Sequence, residues 1–220
     1  MNRPQVIINC AMSSDGKIAL PNGRQLRISS DEDIARVYKL RNACDAVLVG
    51  IGTILTDDPK LTVKEKYVPR PRQPIRIILD THCKTPEKAL AANEKAKTII
   101  ATVDECSKKF NKNVEILKCK SDNEDKINLH FLLEQLFNIG IKKLLVEGGS
   151  NVIWSFINEK LFDDLYVYIG PIIIGGLQTP TMTKGEGIKN IKDLIHLKII
   201  TVSRFGNGIL IHYKPNDYLN

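Results

Sequence analysis

Two glycine-bearing stretches each follow an apolar run of strand length: Gly50-Ile51-Gly52-Thr53-Ile54-Leu55 after Ala46 to Val49, and Glu147-Gly148-Gly149-Ser150 after Leu144 to Val146. Glycine lets backbone amides approach a ligand closely, and a helix that starts at such a turn offers unpaired N–H groups to an anion such as a pyrophosphate. Ser150 could cap its helix or bond a phosphate oxygen. The Glu147 to Ser150 stretch also reads as a tight strand-to-helix turn that binds nothing. The first begins like the dinucleotide fingerprint, but Leu55 stands where the third glycine belongs, so a strict Rossmann domain is not supported. Taken together, the two turns suggest one shared dinucleotide, its pyrophosphate held from neighbouring strand ends.

Arg41 lies seven residues after Ile34 on a helical pattern whose Ile34, Val37 and Tyr38 form an apolar stripe. A guanidinium there costs several kcal/mol unless it is paired. An internal ion pair or a snorkelling stem would satisfy it, and so would a substrate phosphate gripped by the planar fork. Asp57-Asp58-Pro59 and Ser14-Asp15-Gly16-Lys17 read as cap and turn sequences rather than metal ligands. The histidines (His82, His130, His196, His212) are dispersed, with no ligand spacing, so no metal is expected. Cys10, Cys44, Cys83, Cys106 and Cys119 are odd in number and form no Cys-x-x-Cys pair, which indicates no disulfide framework and a reduced cytoplasmic setting.

These residues must be positioned by elements whose rhythm is α/β. Apolar runs at Gln5 to Met12, Ala46 to Gly50, Ile75 to Asp80, Thr98 to Val103, Val114 to Cys119 and Leu144 to Glu147 predict strands. Helical patterns stand between several of them. The first starts at Ser30 as N-cap, with Asp31, Glu32 and Asp33 as cap and dipole residues. Asn128 caps a helix with Leu129, Leu132, Leu133, Leu136 and Phe137 on one face, ended by Gly140, and Ser150 opens another through Asn158. Beyond it Leu165 to Ile174, Leu197 to Val202 and Gly208 to Tyr213 are strand-like without a convincing helix between the last two. The order predicts a mostly parallel central sheet with antiparallel C-terminal strands and helices on both faces, in one domain over residues 1–220.

Composition narrows the function classes. With 43% apolar and 26% charged residues, the chain is globular rather than disordered, fibrous or membrane-embedded. A net charge of +7 would suit nucleic acid or a phosphorylated small molecule, but the basic residues are spread out and only 6% of residues are aromatic, so a nucleic-acid module is the rival and not the expectation. No run approaches the length of a membrane span, and the first residues lack a secretory core.

Read in order, Ala11 to Ala19 (AMSSDGKIA), Leu40 to Gly50 (LRNACDAVLVG), Gly52 to Thr62 (GTILTDDPKLT), Pro74 to Asp80 (PIRIILD) and Val146 to Gly149 (VEGG) closely resemble the riboflavin-pathway reductases, a family of stand-alone enzymes and of reductase domains in a bifunctional deaminase/reductase. The likeness continues through Ile169-Gly170-Pro171 and Gly175-Gly176 and so covers nearly the whole chain. It implies a dihydrofolate-reductase-like fold, an NADPH cofactor with NADH as the alternative, and a homodimer. No deaminase zinc motif is present, so the resemblance is to the stand-alone form, and the implied substrate is 2,5-diamino-6-ribosylamino-4(3H)-pyrimidinone 5′-phosphate. The deaminated 5-amino-6-ribosylaminouracil 5′-phosphate is the alternative substrate, and dihydrofolate or a pteridine the alternative on the same fold.

Carried over position by position, the resemblance implies that Gly50, Gly52, Thr53 and Asp57 contact the cofactor, as do Gly148, Gly149 and Ser150. Leu79, Asp80, Thr81 and His82 would line the adenosine ribose, with Thr81, His82 and Lys84 offering donors to a 2′-phosphate and Asp80 favouring the unphosphorylated form. Arg41, Leu61, Lys64 and Glu147 match substrate positions, with Glu147 also the candidate for assisting proton movement. Lys17 or Arg24 would help at the phosphate. Lys64 stands where bacterial relatives often have arginine, and Arg27 where many have an aromatic residue.

Overall fold

The structure is a computed structural model that describes residues 2–216. Its elements, in chain order, are β1 (Gln5–Ser13), α1 (Asp31–Ala43), β2 (Ala46–Gly50), α2 (Ile51–Asp57), β3 (Ile75–Leu79), β4 (Thr98–Thr102), β5 (Val114–Lys118), α3 (Leu129–Asn138), β6 (Lys143–Gly148), α4 (Ser150–Asn158), β7 (Asp164–Gly170), β8 (Leu197–Phe205) and β9 (Gly208–Pro215). They fall into two compact units, one of Tyr38–Leu145 with the start of the chain through Gln5, the other of Val6–Val37 with the chain from Val146 onward.

In the first unit the strand order is β5-β4-β3-β2-β6, and the pairs β2–β3, β3–β4 and β4–β5 are parallel. Every residue of β2 and β4 is buried, as strands covered on both faces must be. Leu129, Leu132, Leu133 and Leu136 of α3 are buried too, the side chain of Asn128 accepts from the Phe131 amide at 2.9 Å, and Gly140 leaves the helix at φ +93°, so this helix starts and stops where its sequence directs. Arg76 on β3 is the charged exception inside: fully buried, it donates to the Asn93 side chain at 2.9 Å and to the carbonyls of Leu90, Asn93 and Ala96. Burial lowers its guanidinium to about 10, so it stays charged at neutral pH while holding the connection before β4.

The second unit has the order β1-β7-β9-β8. β1 and β7 are parallel, whereas β7–β9 and β8–β9 are antiparallel, the finish expected from the absence of a helix between the last strands. Ser30 caps α1, accepting from the Asp33 amide at 3.2 Å.

Several expectations are corrected. Asp33, read as the capping-box acid after Ser30, does take the Ser30 cap through its amide, but its carboxylate has a further role. The residue is fully buried, and its carboxylate takes Arg36 Nε at 2.8 Å and the Ser29 hydroxyl at 2.5 Å, while Arg36 reaches the Asn9 side chain at 2.7 Å. Asp33 is also the buried residue of α1, so Ile34, Val37 and Tyr38 form no deeply buried stripe. β7 ends at Gly170 rather than Ile174, because Pro171 has no amide to donate and the amides of Ile174 and Gly175 go instead to the Asp15 carboxylate. Cys83 and Cys106 form a disulfide over a separation of 23 residues, which spacing alone did not reveal. They meet because β3 and β4 are parallel neighbours, which puts the turns that follow them side by side.

Phe156 of α4 is fully buried, so Phe156→Ala should lower stability by about 3–5 kcal/mol in a urea melt, whereas a loss under about 1 kcal/mol would mean that α4 is not packed as described.

Candidate active site

Strand ends position the chemistry in each unit. In the first, β2 passes into α2 with no loop between: Gly50 is the N-cap at φ −83°, ψ 160°, with no side-chain cap, and Gly52 and Thr53 are already helical. This corrects the expected turn over Gly50 to Leu55. The helix start leaves amides without intrahelical acceptors, and Thr53 and Asp57, four residues apart, share a face. Asp58 closes α2 in the left-handed region (φ 39°), its amide donating to Ile54 O at 3.1 Å and its carboxylate taking the Leu90 amide at 2.7 Å.

At the end of β3, Leu79 is half-buried and Asp80 fully buried. The Asp80 carboxylate is spent on its own loop, accepting from the amides of Lys84 (2.8 Å) and Thr85 (2.6 Å) and from the Thr85 hydroxyl (2.7 Å). The Thr81 carbonyl accepts the Thr102 hydroxyl at 2.9 Å and the Val103 and Asp104 amides at 3.0 Å. His82 is exposed, with Nδ1 at 2.8 Å from Asp104. The loop is therefore tied down by its own hydrogen bonds, and the side chains of His82 and Lys84 are exposed.

Arg41, in the last turn of α1, is half-exposed rather than sunk in an apolar stripe. Its Nη1 donates to Thr62 O at 3.2 Å, and its guanidinium lies 5.3 Å from the centroid of the Tyr38 ring. Lys64 Nζ lies 5.5 Å from the same ring, so the structure brings together two cations that are distant in sequence. On the segment before Lys64, Leu61 is buried at φ 52°, and Gln73 clamps Val63 by accepting from its amide (2.8 Å) and donating to its carbonyl (3.0 Å).

In the second unit Glu147 is half-buried near the end of β6, Gly148 has φ +127°, and the Gly148–Gly149 peptide is cis. Gly149, not Ser150, is the N-cap of α4, and no side chain caps this helix either. The Ser150 hydroxyl instead donates to Thr181 O at 2.5 Å, and its carbonyl accepts from the Lys184 amide at 3.3 Å. Thr181 also bridges to Lys17, which binds the segment after β7 to the loop after β1. Arg27 is exposed and pairs with Asp31 at 2.6 Å. Arg27, Ser29, Ser30, Pro171 and Asn207 line a cleft of about 440 Å³, which no local motif announces because its walls come from separated segments.

Asp15, in the turn after β1, positions the segment that follows β7. Its carboxylate takes the Ser13 hydroxyl at 2.5 Å and the amides of Gly175 (2.7 Å) and Ile174 (3.1 Å), and the Ser13 hydroxyl first, then the Gly175 amide, hold its carboxyl down at about 2. A depressed carboxyl contributes stability that is complete above its unfolded value, near 3.9, and lost as pH falls through its folded value. Protection of the Ile174 and Gly175 amides against exchange should therefore hold down to about pH 3 and collapse toward about pH 2. In Asp15→Ala it should be missing throughout, and protection equal to the native protein's would remove Asp15 from this role.

A family model described as the RibD C-terminal domain matches residues 4–211. The chain is 37% identical over 215 residues to the 2,5-diamino-6-ribosylamino-4(3H)-pyrimidinone 5′-phosphate reductase of Methanothermobacter thermautotrophicus, covering 96% of this chain and 98% of that protein. It is also 37% identical over 222 residues to the reductase of that name from Archaeoglobus fulgidus, with 97% and 99% covered. Among solved structures, the diaminohydroxyphosphoribosylaminopyrimidine deaminase/5-amino-6-(5-phosphoribosylamino)uracil reductase of Thermotoga maritima superposes with a TM-score of 0.83 at 28% identity over 97% of this chain. This chain spans 57% of that longer protein. Among the described residues no helix is long and apolar enough to cross a membrane.

Proposed function

We propose a function from one premise: the chain belongs to the RibD C-terminal domain family. It is a reductase, and its proposed reaction is the NADPH-dependent reduction of the ribose of 2,5-diamino-6-ribosylamino-4(3H)-pyrimidinone 5′-phosphate to a ribityl chain, a step of riboflavin biosynthesis. The observation that carries this is the end-to-end match to stand-alone reductases, 98% of the Methanothermobacter protein's length. The dihydrofolate-reductase-like α/β fold is common ground with a dihydrofolate or pteridine reductase, and substrate turnover separates the two.

The donor set fits a nicotinamide dinucleotide. α2 and α4 both begin at a glycine N-cap with no side chain on the first amides, and Gly148 has open space where a Cβ would stand. In the proposed assignment Gly50, Gly52, Thr53 and Asp57 are coenzyme contacts, as are Gly148, Gly149 and Ser150. Leu79, Asp80, Thr81 and His82 form its adenosine-side wall. The Asp80 carboxylate already accepts three hydrogen bonds, so it is not offered to ribose hydroxyls, while Thr81, His82 and Lys84 remain as donors. This favours the 2′-phosphorylated coenzyme over NADH.

A nicotinamide coenzyme held by these residues would supply the hydride that, with a proton, reduces C1′ of the opened ribosylamine to the ribitylamine. Glu147 is proposed to bond the pyrimidine or sugar and to assist proton movement during ring opening. Arg41 and Lys64 are proposed to hold the phosphate ester, with Leu61 as a further substrate contact. A phosphorylated substrate and a dinucleotide do not cross membranes unaided, so the proposed compartment is the cytoplasm. The proposed assembly is a homodimer, supported by the exposed apolar side chains of β8, with Ile199 and Val202 each 59% exposed. Light scattering should then give twice the chain mass for the native protein and a shift toward one chain mass for Val202→Glu. A native protein of single-chain mass would overturn the dimer.

The test of function follows NADPH absorbance with the diamino substrate, its deaminated counterpart and dihydrofolate, and expects the fastest turnover with the first. Arg41→Met removes a charge-assisted contact of about 1.5–3 kcal/mol, so KM for the phosphorylated substrate should rise at least about tenfold while KM for NADPH is unchanged. Turnover of dihydrofolate alone would replace the reading.

A further inference from the structure

We propose that Tyr38, stacked on Tyr67, is a positioning residue that sets Arg41 and Lys64 as a single anion-binding pair. The proposal rests on the reading above that these two cations hold the substrate's phosphate. The Tyr38 and Tyr67 rings are stacked with centroids 4.5 Å apart and planes 9° apart. Arg41 and Lys64 lie 5.3 Å and 5.5 Å from the centroid of the Tyr38 ring. One ring thus serves two cations that would otherwise repel, and its negative quadrupole offsets part of that repulsion.

Local structure explains how the four residues meet. Tyr38 and Arg41 are three apart on α1, the spacing at which helical side chains are neighbours. Lys64 and Tyr67 are three apart in a turn closed by the Tyr67 and Val68 amides donating to Lys64 O at 3.0 and 3.3 Å. Stacking Tyr67 on Tyr38 therefore carries Lys64 to the helix. The Thr62 carbonyl, on the same loop, accepts from Arg41 at 3.2 Å, a second tie between the two elements. Lys66, 4.7 Å from the Tyr67 ring, adds a further positive charge to the cluster. A lysine on an exposed loop has a flexible four-carbon stem and loses rotamer freedom when it grips an anion. Preordering that stem against an aromatic face lowers the entropic cost of binding.

The experiment measures KM and kcat for the phosphorylated pyrimidine and its dephosphorylated nucleoside, with calorimetric binding of ribose 5-phosphate in parallel. Tyr38→Leu should raise KM for the phosphate ester and Kd for ribose 5-phosphate by about five- to tenfold. It should leave kcat within about twofold and KM for the nucleoside unchanged, because only the phosphate subsite is disturbed. Tyr38→Phe keeps the ring and should behave as the native protein. Tyr67→Leu should shift the same two constants in the same direction, and it carries the test if circular dichroism shows Tyr38→Leu unfolded. Unchanged KM and Kd in the folded leucine variants, or an equal rise for the nucleoside, would overturn the proposal. If the native protein binds ribose 5-phosphate yet reduces neither pyrimidine, the functional reading falls, and the leucine variants still decide whether the tyrosines order the pair.

Discussion

A strand that ends in a turn leaves backbone donors without a ladder partner, and in this chain aspartate carboxylates supply the missing acceptors. Asp15 takes the amides of Ile174 and Gly175, Asp80 those of Lys84 and Thr85, Asp45 those of Lys142 and Lys143, Asp163 that of Val6, and Asp58 that of Leu90. A charged acceptor makes each bond shorter and stronger than its neutral equivalent. Several of these aspartates sit at the start or end of a strand, where binding loops of open α/β sheets leave the scaffold. These hydrogen bonds tie the loops to the strand ends. Asp45 adds the Arg72 guanidinium to its two amides, and the balance of these donors against partial burial leaves its carboxyl below the ordinary range.

The helix starts follow the opposite rule. Where the proposed chemistry needs donors, no carboxylate is supplied: glycine caps α2 and α4, and no side chain competes for the first amides. Ser150 could have closed that gap, yet its hydroxyl points to the Thr181 carbonyl and so ties down the segment after β7. Capping is spent on α1 and α3, whose N-caps Ser30 and Asn128 bond their own helices. The chain thus separates helix starts capped by a side chain from helix starts capped by none, and on the proposed reading a bound anion would supply acceptors that the second class lacks.

Strand positions were legible because burial on both faces demands unbroken apolar runs, as in Val47-Leu48-Val49 and Ile77-Ile78. The α3 boundaries were legible because Asn128 and Gly140 act within a few residues of themselves. What stayed hidden depends on partners far along the chain. Asp33 reads as the capping-box acid after Ser30, and only Arg36, Ser29 and the distant Asn9 show why it is the buried one of three acids. The Cys83–Cys106 disulfide follows from the pairing of β3 with β4, not from cysteine spacing. α2 was missed because Gly50 and Gly52 look like a turn, although only the first is outside the helix. Among the site residues, the resemblance named Arg41 and Lys64, but Tyr38 and Tyr67, which bring them together, carry no motif.

Asp80 illustrates why residue type at a strand end does not by itself decide coenzyme choice. An acid in that position can accept hydrogen bonds from ribose hydroxyls and disfavour a 2′-phosphate. Here the same carboxylate is fully buried, and its oxygens accept from two amides and a hydroxyl of residues 84 and 85. Turning it outward would strand those donors, at a cost of about 1–3 kcal/mol for each one left buried and unsatisfied. The loop therefore resists exposing the acid, while Lys84 and His82 stay exposed on it. On the proposed reading, the preference for the phosphorylated coenzyme comes less from a dedicated phosphate clamp than from the removal of a competing anion into the loop's own hydrogen bonds.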